Sequence, residues 1–244
     1  MGMILTGEGL IDAPQRALIV VAHPDDIDFG MAGTVAALTS AGCEVAYCLA
    51  TSGEAGGDDL SHSPGELAAM RESEQTAAAA QVGVGELHWL GHRDGMVVAD
   101  LSLRRDIARV IRIERPDVVL CQTSIPDWDR IYISHPDHLA TATAALAAVY
   151  PDSRNPRAFP ELLDEGHQPH SVSEIWLIGT TPNRYIDITD TFERKIAALR
   201  EHRSQIAQFD DMSQRVRQWC AELAQAGGLG QGRLAEAYRV VPAG

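Results

Sequence analysis

The chain predicts an α/β fold: a doubly wound, mostly parallel sheet with helices on both faces. Three observations carry this. Short, continuously apolar runs recur along the sequence, helical patterns separate them, and each run ends in a loop of chemically capable polar residues. Runs without polar alternation fit strands buried on both faces, the habit of parallel strands covered by crossover helices. Strands and helices that alternate in this way imply right-handed crossovers.

Residues 17–22 form the first run, which stops at His23-Pro24 because proline lacks the N–H that a central strand needs. A helix is expected over 29–41, with Gly42 as its C-terminal cap. Residues 44–50 read as a second strand, and 51–57 as the loop leaving its end. An alanine-rich helix spans 64–82 and halts at Gly83, followed by a short strand at 86–90 and a glycine-flanked turn at 91–95. The next helix covers 101–114, with Pro116 closing it, and 117–122 is another buried strand. A polar loop then leads through Arg130 to a helix at 136–149. Residues 173–179 and 185–188 are later strands, expected to run antiparallel at one edge, and 191–209 and 212–226 are terminal helices. The proline-rich stretch 150–171 is expected to border a site, and 235–239 to close over its rim. With no composition break or internal repeat, the chain reads as one domain, its core over about 17–205 and a helical extension over about 206–244.

A net charge of −14 argues against nucleic acid, which needs a positive footprint, and suits a neutral or cationic small molecule. Cys43, Cys48, Cys121 and Cys220 show no metal-type spacing, so a reducing cytoplasm is the default. The N-terminus lacks a signal pattern, and no run approaches the roughly 18 apolar residues of a membrane span. The sequence leaves a homo-oligomer open.

Two histidine–carboxylate clusters stand out: Ala22-His23-Pro24-Asp25-Asp26 and Ser134-His135-Pro136-Asp137-His138. Each lies where an apolar run meets a helical pattern, and parallel sheets place ligands at the carboxyl ends of their strands. Catalytic zinc takes three His, Asp or Glu ligands and keeps a fourth position for water. His23 and Asp26 can reach one metal from a single turn, and His138 can supply the third ligand from the first turn of its helix. His135, three residues earlier, then faces the same side. Asp25 is the carboxylate left to take a proton from the activated water. His135 can stabilise the oxyanion or protonate the leaving amine. Asp137 can orient His135, or cap the helix through a Ser134-x-x-Asp137 capping box. Zinc and iron(II) both suit a His/His/Asp set.

Arg71 and Glu74 fit a helical ion pair as well as a substrate contact. Arg93 and Asp94, in a strand-end loop, lean toward the site. His62, His88, His92, His167, His170 and His202 read as structural or solvent-facing, with His92 and His167 the two to watch. The run Glu193-Arg194-Lys195 reads as a solvated helix face.

The two motifs, with Gly30 and Gly33, Thr51-x-Gly53-Glu54-x-Gly56, Arg71-x-x-Glu74 and Gly91-x-Arg93-Asp94-Gly95, resemble the LmbE/PIG-L family of zinc-dependent N-acetylglucosaminyl deacetylases over residues 17–205. The resemblance implies a Rossmann-like fold and one zinc held by His23, Asp26 and His138. It implies Asp25 as base, His135 as electrostatic stabiliser or acid, and an amino-sugar substrate whose hydroxyls meet Arg71, Asp94 and Glu54. Some members use a tyrosine just before the second motif; here Ile133 and Ser134 occupy those positions and Tyr132 lies further back.

Overall fold

The computed structural model describes residues 2–57, 60–206 and 211–244. Its centre is a parallel block. Strand β3 (Arg16–Val21) pairs on one side with β4 (Glu44–Leu49), which pairs with β5 (Glu86–Trp89). On the other side β3 pairs with β6 (Val118–Gln122), which pairs with β7 (Glu174–Ile178). The chain winds outward from β3 in one direction, then restarts beside it with β6. The crevice between β3 and β6 is therefore the topological switch point, where such sheets bind ligands.

Alternation along β3 builds two cores. Ala17, Ile19 and Val21 face one layer, Leu18 and Val20 the other. The first layer holds α1 (Asp26–Gly30), α2 (Ala32–Ser40), α3 (Pro64–Gln81), α7 (Phe192–Glu201) and α9 (Met212–Ala226). The second holds α4 (Leu101–Glu114) and α5 (Pro136–Ala147). Sequence signals set the ends: Ser63 and Glu66 form a reciprocal capping box on α3, and Asp100 accepts the Leu103 N–H on α4.

The sheet is larger than the sequence suggested. β7 runs parallel to β6 instead of forming an antiparallel edge. The segment expected to close over the rim is a strand, β9 (Ala235–Pro242), wedged antiparallel between β7 and β8 (Arg184–Asp187). A hairpin of β1 (Met3–Thr6) and β2 (Gly9–Asp12) extends the far side through β8. The C-terminal segment thus supplies a strand inside the sheet as well as a helix.

Two helices differ from expectation. The one read at 29–41 begins earlier and is broken at Met31, and the one read at 191–209 breaks at His202 before the short α8 (Arg203–Ile206). Residues 207–209 of that expectation lie outside the described residues. The α1–α2 break is held by a buried ion pair. Lys195 Nζ donates to the Asp28 and Phe29 carbonyls at the end of α1 and to Glu236. Glu236 in turn accepts the Gly33 and Thr34 N–H groups that open α2. A cation thus meets a helix C-terminus and a carboxylate meets a helix N-terminus, each the favoured sign. Lys195, read as solvated, is fully buried.

Stretch 150–171 packs away from the cavity described below. Arg112 donates to the Asp152, Ser153, Asn155 and Ala158 carbonyls, and Arg104 pairs with Asp152, so the stretch is bound to α4. Its short helix α6 (Glu161–Asp164) contributes Leu162 to the second core. Among the described residues no helix is long and apolar enough to cross a membrane.

Candidate active site

The loops leaving β3 and β6 bring the two clusters together. His23 follows β3 directly, and Asp26 opens α1, where the helix N-terminus favours a carboxylate. The Asp26 carboxylate turns back to accept the His23 N–H at 2.9 Å. His23 Nδ1 stands 3.1 Å from His138 Nε2, Asp26 Oδ1 stands 3.0 Å from the same nitrogen, and Asp26 Oδ2 lies 3.5 Å from His23 Nδ1.

That spacing fits a metal. Donors at 2.0–2.1 Å from a tetrahedral ion sit about 3.3 Å apart, close to the distances here. The local charge agrees. Burial lowers the His23 pKa, but hydrogen bonds to Asp26 and Asp94 and their charges outweigh it and raise it to about 10. Burial works against an ionised Asp26 too, yet His138 and His23 hold its carboxyl well below the usual range. Surroundings that hold a proton on His23 this tightly favour a cation at that point.

His23 Nε2 meets a second pair of carboxylates, Asp94 Oδ1 at 3.0 Å and Asp137 Oδ2 at 3.2 Å. Their oxygens are otherwise occupied. Asp94 Oδ2 accepts the Ala55 N–H, and Asp137 accepts the Gly95 and Val97 N–H groups. All three residues are buried. This is the carboxylate support that fixes an imidazole's tautomer: Nε2 carries the hydrogen and Nδ1 is free to ligate.

Several expectations change here. Asp137 orients His23 and not His135, and the capping box does not form. His135 itself is the N-cap of α5, its Nδ1 accepting the Asp137 N–H, while Ser134 Oγ accepts the Asp127 N–H. Asp94 supports His23 instead of facing a sugar. Glu54 stands behind it, accepting the Asp94 N–H at 2.9 Å. Arg71 is buried, and its guanidinium donates to the Gly53 and Pro24 carbonyls and to Asp25 Oδ2. Its expected partner Glu74 accepts from Ser204. Gly53, at φ 70°, is glycine for Arg71's sake, since a Cβ there would strike the guanidinium. Of the four residues expected to touch substrate, Arg93 alone is exposed. The side chain of Tyr132 lies outside the described residues. His92 pairs with Asp106 and His167 lies near Glu165.

The supporting role makes a prediction. Asp94→Ala should weaken metal binding by about 10–100-fold, the usual effect of removing a carboxylate behind a ligating histidine. Competition with a chromophoric chelator measures it. Unchanged affinity with a raised KM would return Asp94 to the substrate.

Asp25 sits beside this centre in an uncommon backbone state, φ 83° and ψ −28°. Its carboxyl pKa rises to about 6, through burial and the Asp26 charge, against the opposing pull of Arg71, His202 and His23. That lies close to neutrality, as a general base requires. The rings of His23, His135 and His138 cluster with centroids 4.9–5.3 Å apart. Burial, then the neighbouring imidazoles, lower the pKa of His135.

A cavity of about 920 Å³ opens from Asp26 and His138. The 123–133 loop walls it, together with Phe29, Ile178 and Trp219. Stretch 150–171 lends it no residue, and neither does the loop after Thr51. Sequence reasoning missed Trp219 and three buried residues beneath Asp25: Asp28, Gln75 and His202. Gln75 had a signal, lying one helical turn after Arg71 on the same face of α3.

Residues 18–149 match the PIG-L family, GlcNAc-PI de-N-acetylase. Diacetylchitobiose deacetylase of Thermococcus kodakarensis is 34% identical over 230 residues, covering 93% of this chain and 84% of the relative. A 1D-myo-inositol 2-acetamido-2-deoxy-α-D-glucopyranoside deacetylase of Saccharopolyspora erythraea is 29% identical over 78% of this chain and 83% of its own. Among solved structures, the N,N′-diacetylchitobiose deacetylase of Pyrococcus horikoshii superposes with a TM-score of 0.86 at 34% identity, covering 94% of this chain and 85% of that one.

Proposed function

Because the chain belongs to the PIG-L family, we propose that it hydrolyses the N-acetyl amide of an amino-sugar compound at the His23–Asp26–His138 centre. One observation carries the reading: three metal-type donors converge at 3.0–3.5 Å, and the neighbouring Asp25 carboxyl feels the charges of Asp26 and His23. A zinc ion, or iron(II), held by His23 Nδ1, Asp26 and His138 Nε2 would polarise the amide carbonyl and lower the pKa of a water to about 7.

The protein's own groups complete the reaction. Asp25 takes the water's proton and passes it to the amine nitrogen as the C–N bond breaks, so acetate keeps the water's oxygen. His135, whose Nδ1 is occupied by the Asp137 N–H, offers Nε2–H to the carbonyl oxygen as negative charge develops there. Its lowered pKa keeps that ring a neutral donor. His23 is held in register by Asp94 and Asp137. The cavity is at the upper end for small-molecule sites, which leaves room for more than one sugar ring. Its wall of Phe29, Ile178 and Trp219 suits the apolar faces of such rings. Four buried, unpaired cysteines fit a reducing cytoplasm.

Incubating the purified, zinc-loaded chain with N-acetylglucosamine, N,N′-diacetylchitobiose and N-acetylglucosaminyl inositol, and in parallel with a glycosylated thiol conjugate, should release acetate and free amine in equal amounts from at least one of the N-acetyl sugars. A chelator should abolish release, and added zinc or iron(II) should restore it. Amine without acetate, from a glycosylated thiol conjugate, would reassign the enzyme to a larger amide. No amine from any of these compounds would overturn the reading.

A further inference from the structure

Resting on Asp25 as the proton carrier, we propose that Gln75, Asp28 and His202 form a buried positioning relay that holds Asp25 in its working backbone conformation. Asp25 adopts φ 83°, a region that residues other than glycine avoid unless their surroundings impose it. Its carbonyl accepts the Asp28 and Phe29 N–H groups, as the start of any helix would. Its own N–H has a dedicated partner, Gln75 Oε1 at 2.8 Å, on a helix 50 residues away.

That bond fixes the Gln75 amide, because the oxygen must face Asp25 and the nitrogen must face away. Nε2 then donates to Asp28 Oδ2 at 2.8 Å. The same oxygen accepts from His202 Nε2, also at 2.8 Å. Gln75, Asp28 and His202 are all fully buried. The relay thus ties the turn bearing the base to α3 and to the end of α7. Arg71, one turn before Gln75, grips the Asp25 carboxylate from the same helix, so α3 fixes both the main chain and the side chain of Asp25. None of the three relay residues contacts the His23–Asp26–His138 donors in this arrangement, so its effect should appear in turnover and not in metal binding.

The chemistry supplies its own rescue. Gln75→Leu removes both bonds of the amide. Gln75→Glu keeps an acceptor for the Asp25 N–H but sets a carboxylate against Asp28. Adding Asp28→Asn to that change reverses the polarity of the relay: the asparagine amide donates one hydrogen to the glutamate and the other to His202 in its second tautomer. That tautomer breaks no existing bond at the other ring nitrogen, because among the described residues His202 Nδ1 has no hydrogen-bond partner.

The test uses the full, zinc-loaded chain and its metal-free form. Gln75→Leu and Gln75→Glu should each lower kcat about 10–100-fold, the scale of a small misplacement of a reacting group. KM should stay within about twofold and metal stoichiometry should be unchanged; the double variant Gln75→Glu/Asp28→Asn should recover most of kcat. Amide exchange at Asp25 in the metal-free protein should speed up in Gln75→Leu and slow again in the double variant. This readout needs no substrate, so it stands even if the deacetylase reading fails. A folded, metal-replete Gln75→Leu with wild-type kcat, or with unchanged Asp25 exchange, would overturn the relay. So would a double variant that regains thermal stability but not kcat.

Discussion

Asp25→Asn should lower kcat by about 10²–10⁴-fold while the protein still binds one metal ion, the range set by losing a positioned general base. Asparagine keeps the size of the side chain and an oxygen for Arg71, whose other bonds go to the Gly53 and Pro24 carbonyls and are untouched. What it loses is the capacity to accept a proton. Asp25 also lies outside the donor set, since the short contacts run among His23, Asp26 and His138. Asp26→Asn is the natural contrast: it removes an anionic donor and should lose metal and turnover together. Elemental analysis beside steady-state kinetics separates the two. Metal-loaded Asp25→Asn working at the wild-type rate would end the assignment of Asp25 as base.

How much of this was legible in the sequence depends on the range over which each feature is decided. The β3 and β6 strands and the helix α5 follow from local apolar pattern and from proline and glycine signals, and they lie where expected, whereas the helix after β3 starts earlier and breaks at Met31. The two motifs were legible because each is a contiguous turn, and the switch point brings both turns to one crevice. The roles of Asp94 and Asp137 were not. Both converge on His23 Nε2 from residues 71 and 114 positions away, and spacing along the chain cannot say which imidazole a carboxylate will face. Ser134-x-x-Asp137 has the letters of a capping box, but a cap is decided by backbone angles, and His135 takes the extended conformation that begins α5.

Lys195 is a different case, because its burial had a visible signal. It lies three residues after Phe192 and four before Leu199, both on the buried face of α7. Reading Glu193-Arg194-Lys195 as a run of charges hid that geometry. The strand β9 gave little warning: Glu236 interrupts its apolar residues, and its place in the sheet comes from ladders with β7 and β8, strands about 50–70 residues earlier in the chain.

That pair yields the largest expected effect on stability. Lys195→Met should cost about 3–5 kcal/mol, because it strands a carboxylate in the core instead of removing a balanced pair. Glu236 would keep the Gly33 and Thr34 N–H groups, yet its 2.6 Å cation would be gone, and the Asp28 and Phe29 carbonyls would lose their donor as well. For a chain of this length, a loss of that size lowers Tm by about 6–20 °C. Urea unfolding of the metal-free protein measures it directly, and a change below about 1 kcal/mol would show that the core tolerates the lone carboxylate. Lys195→Met/Glu236→Gln should regain part of the loss, because a neutral amide still accepts one helix N–H without an unpaired charge. The consequence reaches the site through geometry. Lys195 binds the last carbonyls of α1 and Glu236 the first amides of α2, so the pair holds the break at Met31 that sets the direction of α1. Asp26 is the first residue of that helix. Loosening the break should therefore weaken metal affinity in Lys195→Met even at temperatures where the chain stays folded, whereas a purely global role would leave affinity unchanged until unfolding begins.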